Sequence, residues 1–315
     1  MEIQTAPLPQ NGLGFLYTYG KGVPQDYVEA AKWFRASAAQ GLASAEYNLG
    51  MLYEQGLGVP KEYVQAFHYY REAADQGNAL AQVRLGFLYD AGIVLSQRPG
   101  EAMRWYRAAA AQGNAQAECQ MGNGFYQGRD VARDYSEAAR LFGKAAEQGL
   151  AEAENNLGVL YHLGKGVERN DEQALYWLRK AAERGLAGAE SDLGVMYEDG
   201  SGVAKDYREA AHWYLKAAEQ GDTRGQVNLA SMYYTGRGVS LDYESSYLWY
   251  ASAAANGDKP SARRLKDLGR LMTPRQVREA QAKFNARQGG LSPVQSVALG
   301  FGATQSSDEI ARSTF

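Results

Sequence analysis

One cysteine, three histidines and eight prolines in 315 residues remove several kinds of protein from consideration. With Cys119 alone no intrachain disulfide can form, so the cysteine-stapled design of small secreted domains is excluded. His68, His162 and His212 include no pair at metal-ligand spacing, and Cys119 has no clustered oxygen or nitrogen partners, so no metal site and no cofactor is expected. No stretch approaches the ~18 apolar residues that a membrane-spanning helix needs. The opening MEIQTAPLPQ also lacks the basic and apolar regions of a signal peptide, which points to a cytoplasmic protein unless the natural chain begins earlier, as an exported one would.

What the chain does have is a period. Leu13, Leu49, Leu85, Met121, Leu157, Leu193 and Leu229 stand 36 residues apart, and each but the last is followed by glycine. All five tryptophans, Trp33, Trp105, Trp177, Trp213 and Trp249, fall on one phase of the same ruler, with Tyr69 and Leu141 in the two vacancies. Self-similarity at such a period is the mark of a stacked array in which each unit touches only its neighbours. Of the 36 glycines, 25 occupy four repeat phases, so they are punctuation within the repeat rather than flexible linker.

Residues 43 to 77 show how one repeat folds. Ala45, Leu49, Leu52 and Tyr53 recur at i, i+4, i+7 and i+8 and form the apolar stripe of a first helix, helix A. Gly56 suits the left-handed position after that helix, and Gly58 relaxes the same turn. Helix B opens on a capping pair, Glu62 with Gln65 here, and Asp26 with Glu29, Asp134 with Glu137, Asn170 with Gln173 and Asp206 with Glu209 elsewhere. Repeat 3 has Arg98, Pro99, Gly100 and Glu101 instead, with proline at the first helical position. Ala66, Tyr69, Tyr70, Ala73 and Ala74 form the buried stripe of helix B, which places the tryptophan phase in the core.

The run A-E-x-x-L-G-x-x-Y, G-x-G-V-x-x-D-Y, A-x-x-W-Y-x-K-A-A-E-Q-G, seen nearly intact as AGAESDLGVMYEDGSGVAKDYREAAHWYLKAAEQG at 187 to 221, resembles the Sel1-like repeat family, relatives of the tetratricopeptide repeat. The resemblance implies an all-α fold: a right-handed α-solenoid of seven 36-residue helix-turn-helix repeats with a C-terminal helical cap. It also implies a bacterial scaffold or adaptor that mediates protein–protein interaction. The expected organisation is a repeat array over 1–257, capping helices over 258–289 and a disordered tail over 290–315. The first helix is expected to be incomplete, since Pro7 and Pro9 stand where its opening turn belongs. Near the other end, Leu265 keeps the leucine phase, and Thr273 with Pro274 reads as the cap and first residue of a last helix carrying Val277, Ala280 and Phe284 on one face.

Charge is divided unevenly. Residues 259 to 287 hold nine Lys/Arg against two Asp/Glu, whereas residues 1 to 258 hold 23 against 32. An acidic body disfavours nucleic acid. In the related tetratricopeptide family, ligands lie on helix A positions two before and two, five and six after the repeat leucine. Carried over by phase, these give a concave face with Tyr47, Met51, Glu54, Phe87, Asp90, Tyr126, His162, Glu198, Asp199 and Tyr234, an apolar floor edged by acids. Val195 and Val227 belong to the same phases. Such a face suits a protein or peptide segment with apolar anchors and Lys or Arg nearby. Tyr126 is the favoured anchor, because Asn123, Gly124 and Asp130 depart from the repeat pattern around it.

Catalytic features have plainer explanations. His68 and His212 share a surface phase of helix B with Lys32, Arg104 and Arg140, and the G-x-G turns follow helices rather than strands. Some cysteine-rich relatives are linked to β-lactam binding, but S-x-x-K and K-T-G are both missing here. The sequence therefore reads as a non-catalytic, monomeric interaction scaffold. The alternative is a self-assembling structural protein in which the basic end of one copy meets the acidic body of another.

Overall fold

The computed structural model describes residues 6–94, 99–129 and 131–289, and among them it is all helix, with no strand. The expectations for Arg98, Asp130 and the 290–315 tail lie outside the described residues. The helices fall into two compact units, Met1–Ala145 and Ala146–Phe315. The first holds α1 (Pro7–Tyr19), α2 (Tyr27–Ala38), α3 (Ala43–Gln55), α4 (Tyr63–Asp75), α5 (Ala79–Ala91), α6 (Pro99–Ala110), α7 (Ala115–Gln127) and most of α8 (Tyr135–Glu147). The second holds α9 (Ala151–Leu163), α10 (Asp171–Glu183), α11 (Ala187–Asp199), α12 (Tyr207–Glu219), α13 (Thr223–Thr235), α14 (Tyr243–Ala255), α15 (Lys259–Leu271) and α16 (Pro274–Gly289). Odd-numbered helices up to α13 are helix A of a repeat, and even-numbered ones up to α14 are helix B.

The turn between them has the chemistry its residues dictate. Gly56 ends α3 at φ 73, and its N–H bonds the Leu52 carbonyl. Gly58 is also left-handed, at φ 67, and it has a second duty: a Cβ there would collide with the backbone of Tyr27 in the preceding repeat. The first glycine therefore closes its own helix, and the second lets neighbouring repeats approach. Asp26, Asp134, Asn170 and Asp206 each accept from backbone N–H groups at the start of helix B. Glu62 does not, since its side chain makes no capping bond; its longer stem carries the carboxylate past the N–H groups that Asp reaches.

Two expectations change. Helix α1 has the same 13 residues as its counterparts, because Pro7 takes the first position and Pro9 falls within the first turn, where the N–H groups have no intrahelical acceptor anyway. The tryptophan phase is not the centre of the core. At that phase Trp105, Leu141 and Trp249 are buried but Trp33, Tyr69, Trp177 and Trp213 are only half-buried, whereas the next residue in every repeat, Phe34, Tyr70, Tyr106, Phe142, Leu178, Tyr214 and Tyr250, is buried. In repeats 1 to 6 that side chain lies against the glycine that follows the repeat leucine, whose place Ala230 takes in repeat 7. A Cβ on Gly50 would come within 2.8 Å of the Tyr70 ring, and one on Gly86 within 2.6 Å of Tyr106, so the glycine is a seat for the ring. Two adjacent helical positions differ by 100°, and only the partner surface decides which one faces inward.

A row of polar pairs, 30 residues apart and each joining a buried residue to an exposed one, crosses the repeats from the start of helix A to the end of helix B. Gln10 accepts from Gln40 at 2.8 Å, Glu46 from Gln76 at 2.7 Å, Gln82 from Gln112 at 3.0 Å, Glu154 from Arg184 at 3.1 Å, Glu190 from Gln220 at 2.7 Å and Gln226 from Asn256 at 3.2 Å. Where the inner partner is glutamine, its amide also donates to a carbonyl eight residues back, Ala74 for Gln82 and Ala218 for Gln226. A carboxylate has no proton for that carbonyl. Burial raises the Glu190 carboxyl above the usual carboxylate range despite the Gln220 bond. The ionisation penalty is thus absent below the unfolded carboxylate range and fully present once pH exceeds the raised folded value. Glu190→Gln is expected to be more stable than the parent at neutral pH by a few tenths to about 1 kcal/mol. In urea unfolding the gain should shrink toward about pH 4, and a gain independent of pH would sink this account.

Candidate functional site

The fifth residue after the repeat leucine, the phase expected to edge a ligand face, has a partner within its own repeat in every case. Where it is an acid, it accepts from the core tyrosine 16 residues on: Tyr70 to Glu54 at 2.5 Å, Tyr106 to Asp90 at 3.3 Å, Tyr214 to Glu198 at 2.9 Å. Burial first, and then the neighbouring carboxylate, pushes these three tyrosine hydroxyls well above the usual phenol range. Where it is aromatic or histidine, it meets the first residue of helix B nine positions on. Tyr126 packs edge-on to Tyr135 at 5.2 Å, Tyr234 lies 5.8 Å from Tyr243, and His162 Nδ1 is 2.7 Å from Asp171 Oδ1. Burial tends to raise Asp171, but hydrogen bonds from Arg169 and His162 outweigh it and hold the carboxyl below its ordinary value. In repeat 1 Thr18 donates to the Gly14 carbonyl at 2.8 Å. The phase thus consolidates each hairpin whatever else it does.

Tyr126 does not stand on an open face: only 7% of it is exposed. The departures around it have a packing cause. A Cβ on Gly124 would come within 2.5 Å of the Met103 methyl, so the glycine occupies a core-leucine position to admit a larger side chain from α6. Asn123 is buried too. Of the other expected residues in the first unit, Tyr47 is half-buried against Tyr70 at 5.8 Å and hydrogen-bonded by Arg84, while Met51 and Phe87 pack on the core edge.

In the second unit the inner side of helices A opens into a cavity of about 680 Å³ between α11, α13 and the start of α15. Val195 and Val227 supply its apolar wall, and Glu198, Asp199, Asp222 and Asp258 place carboxylates around it. Asp222 caps α13 through the Gly225 N–H at 2.7 Å and accepts a short bond from the Ser191 hydroxyl; burial raises its carboxyl against the pull of Arg224. Arg224 spans Asp192 Oδ1 at 2.7 Å and the Gly188 carbonyl at 3.3 Å. Two helix N-termini face this space, and aspartate caps both, since Asp258 also accepts from the Ser261 N–H at 2.8 Å. Helix ends capped in this way have given to aspartate the N–H groups an anion would use.

The repeat itself identifies the family. The Sel1 repeat model matches residues 10–42, 43–78, 79–114, 115–150, 151–186, 187–222 and 223–258 in unbroken succession. The chain belongs to the Sel1 repeat family. Among solved structures it is similar to a protective antigen of uropathogenic Escherichia coli strains that displays an SLR fold, with 31% identity, a TM-score of 0.86, 98% of this chain and 64% of that one covered. It is also similar to a Sel1 repeat protein from Oxalobacter formigenes, at 32% identity and a TM-score of 0.68, covering 83% of this chain and 76% of that one. The chain thus spans just under two thirds of the length of the Escherichia coli protein. None of the curated proteins matches it.

These matches give the Sel1 array its fold, an α-solenoid, and its broad class, since Sel1 repeat proteins are typically protein-interaction scaffolds and generally non-enzymatic. No helix among the described residues is long and apolar enough to cross a membrane, and none of their His, Cys, Asp and Glu side chains form a group of three able to hold a metal. Cys119 is buried. Of the ten residues expected on the ligand face, Glu198 and Asp199 line the cavity of the second unit, and Asp199 is exposed. Sequence reasoning missed Asp222, Arg224 and Asp258 there. Their signal was present in the helix A capping position, which is leucine or asparagine in repeats 2 to 6 and aspartate only at 222 and 258.

Proposed function

We propose that the chain is a non-catalytic interaction scaffold that holds a partner segment against the inner helix A face, with the cavity between α11, α13 and α15 as its specific anchor point. The observation that carries this reading is the lining of that cavity, where Val195 and Val227 are ringed by Glu198, Asp199, Asp222 and Asp258, four acids against the two cations Arg224 and Lys259. A pocket of this kind takes one apolar side chain with a Lys or Arg beside it. Repeat surfaces bind through many modest contacts, so the central anchor carries most of the energy. Peptides selected on the immobilised protein from a random display library should be enriched in an apolar residue next to Lys or Arg. Asp199→Lys with Val227→Glu should weaken them at least about tenfold, which is about 1.4 kcal/mol, with the helical circular dichroism unchanged. Selected peptides that bind the double variant equally well would move the site to the first unit, around Tyr47, Met51, Glu54 and Phe87.

A further inference from the structure

The second unit carries a second surface, of opposite sign, that shares only Lys259 with the anchor cavity. Helix α15 buries Leu268 completely and packs Leu265 and Met272 on the α14 core. Lys259, Arg263, Lys266 and Arg270 recur at i, i+4, i+7 and i+11 on the opposite side, and all four are exposed. At 1.5 Å per residue this is a row of cations about 16 Å long. Arg270 also meets Asp267 at 3.4 Å, and α16 adds the exposed Arg275 and Arg278. Packing explains the apolar side of α15 but asks nothing of the outer side beyond polarity, and single-sign charge there costs self-repulsion.

The same unit has an edge that answers it. Helices α8, α10 and α12 each end on an exposed glutamate, Glu147, Glu183 and Glu219, one per repeat in the same position. A helix C-terminus already carries partial negative charge, so an acid there reinforces the field instead of neutralising it. The lysines one turn back from Glu183 and Glu219 are engaged with tryptophans instead. Lys180 lies over Trp177 at 4.8 Å and near the buried Glu154 at 3.8 Å, and Lys216 lies over Trp213 at 4.5 Å.

We propose that the cationic row of α15 in one copy docks on the Glu147, Glu183 and Glu219 edge of a second copy. Charge complementarity selects this occupant over a polyanion: residues 1–258 hold 32 acids against 23 bases and repel an extended chain of phosphates, whereas a second copy presents a compact acidic edge to the basic residues of 259–287. Because the two surfaces differ and both are on every copy, the contact is heterologous and builds open chains or rings instead of a closed two-fold dimer.

Sedimentation velocity of the full chain tests this at about 0.01 M and about 1 M salt, between which the Debye length falls from about 30 to about 3 Å. The expected result is a distribution of oligomers at low salt that collapses to monomer at high salt. The double variants Arg263→Glu/Lys266→Glu and Glu183→Lys/Glu219→Lys should each lose at least about tenfold in self-association while remaining helical. Mixed together, they should regain it, since the reversed row of one again meets a reversed edge of the other. A monomer at low salt overturns the proposal, as does association that survives high salt. Failure of the mixture to recover removes this edge as the docking site.

Discussion

Tyr214→Ala is expected to cost about 3–5 kcal/mol, the range for removing a fully buried large aromatic, while Trp213→Ala, one residue earlier, costs about 2 kcal/mol or less. Tyr214 has no exposed surface, and its ring fills the space over Gly194, where a Cβ would clash with it. Trp213 is half-buried, and the Lys216 ammonium lies over its indole at 4.5 Å. Tyr214→Phe should be mild, because Phe34 and Phe142 fill the same seat without a hydroxyl and Glu198 keeps access to water. Chemical denaturation of the three variants checks the ranking. If the tryptophan variant proves the less stable of the two alanine variants, the core is centred on the wrong phase here.

The larger effect is expected from removing residues 259–315. Leu268, Met272 and Ala280 are buried against Trp249 and Tyr250 of α14, with Leu265 and Val277 beside them. Each fully buried aliphatic side chain stabilises by about 1.5–3 kcal/mol, so several together approach the 5–15 kcal/mol of a whole domain. The cut also leaves an apolar helix face in water, which is the condition for aggregation in a repeat array without a polar terminal element. The shortened chain is expected to melt at least about 10 °C lower, to bind a hydrophobic dye and to scatter light on warming. A soluble 1–258 fragment with the parent melting temperature would show that α15 and α16 are passengers, and that the packing around Leu268 contributes little.

The two experiments probe different parts of what could be read in advance. The 36-residue ruler, the helix spans, the glycine at the end of each helix A and the aspartate caps of helix B were legible because each depends on a few residues close in sequence. A left-handed turn requires glycine wherever it occurs, and Asp206 finds its N–H partners within three residues. The core phase was legible only as a stripe that held both neighbours, Tyr69 and Tyr70, and the sequence did not choose between them. Trp213 and Tyr214 are both large and aromatic, and the choice between them is made by Gly194, 20 positions earlier, which gives a ring a flat surface to rest on.

The same holds for the expected ligand face. Glu54, Asp90 and Glu198 read as a free acidic edge, yet each is the acceptor for a tyrosine hydroxyl buried 16 residues later, and Tyr126 reads as an exposed anchor but is packed on Tyr135. The match was visible only as a covariation: acid with tyrosine in repeats 2, 3 and 6, and no acid with phenylalanine or leucine in repeats 1, 4 and 5, with repeat 7 the exception, where Tyr250 goes with Tyr234. The sequence by itself determined that this chain is a helical repeat array, where its helices begin and end, and that its charge is split between an acidic body and a basic end. Only the tertiary structure decided which polar residues satisfy the core and which face water, because a buried hydroxyl or carboxyl takes its partner from the neighbouring helix, and that neighbour is fixed by packing across the hairpin.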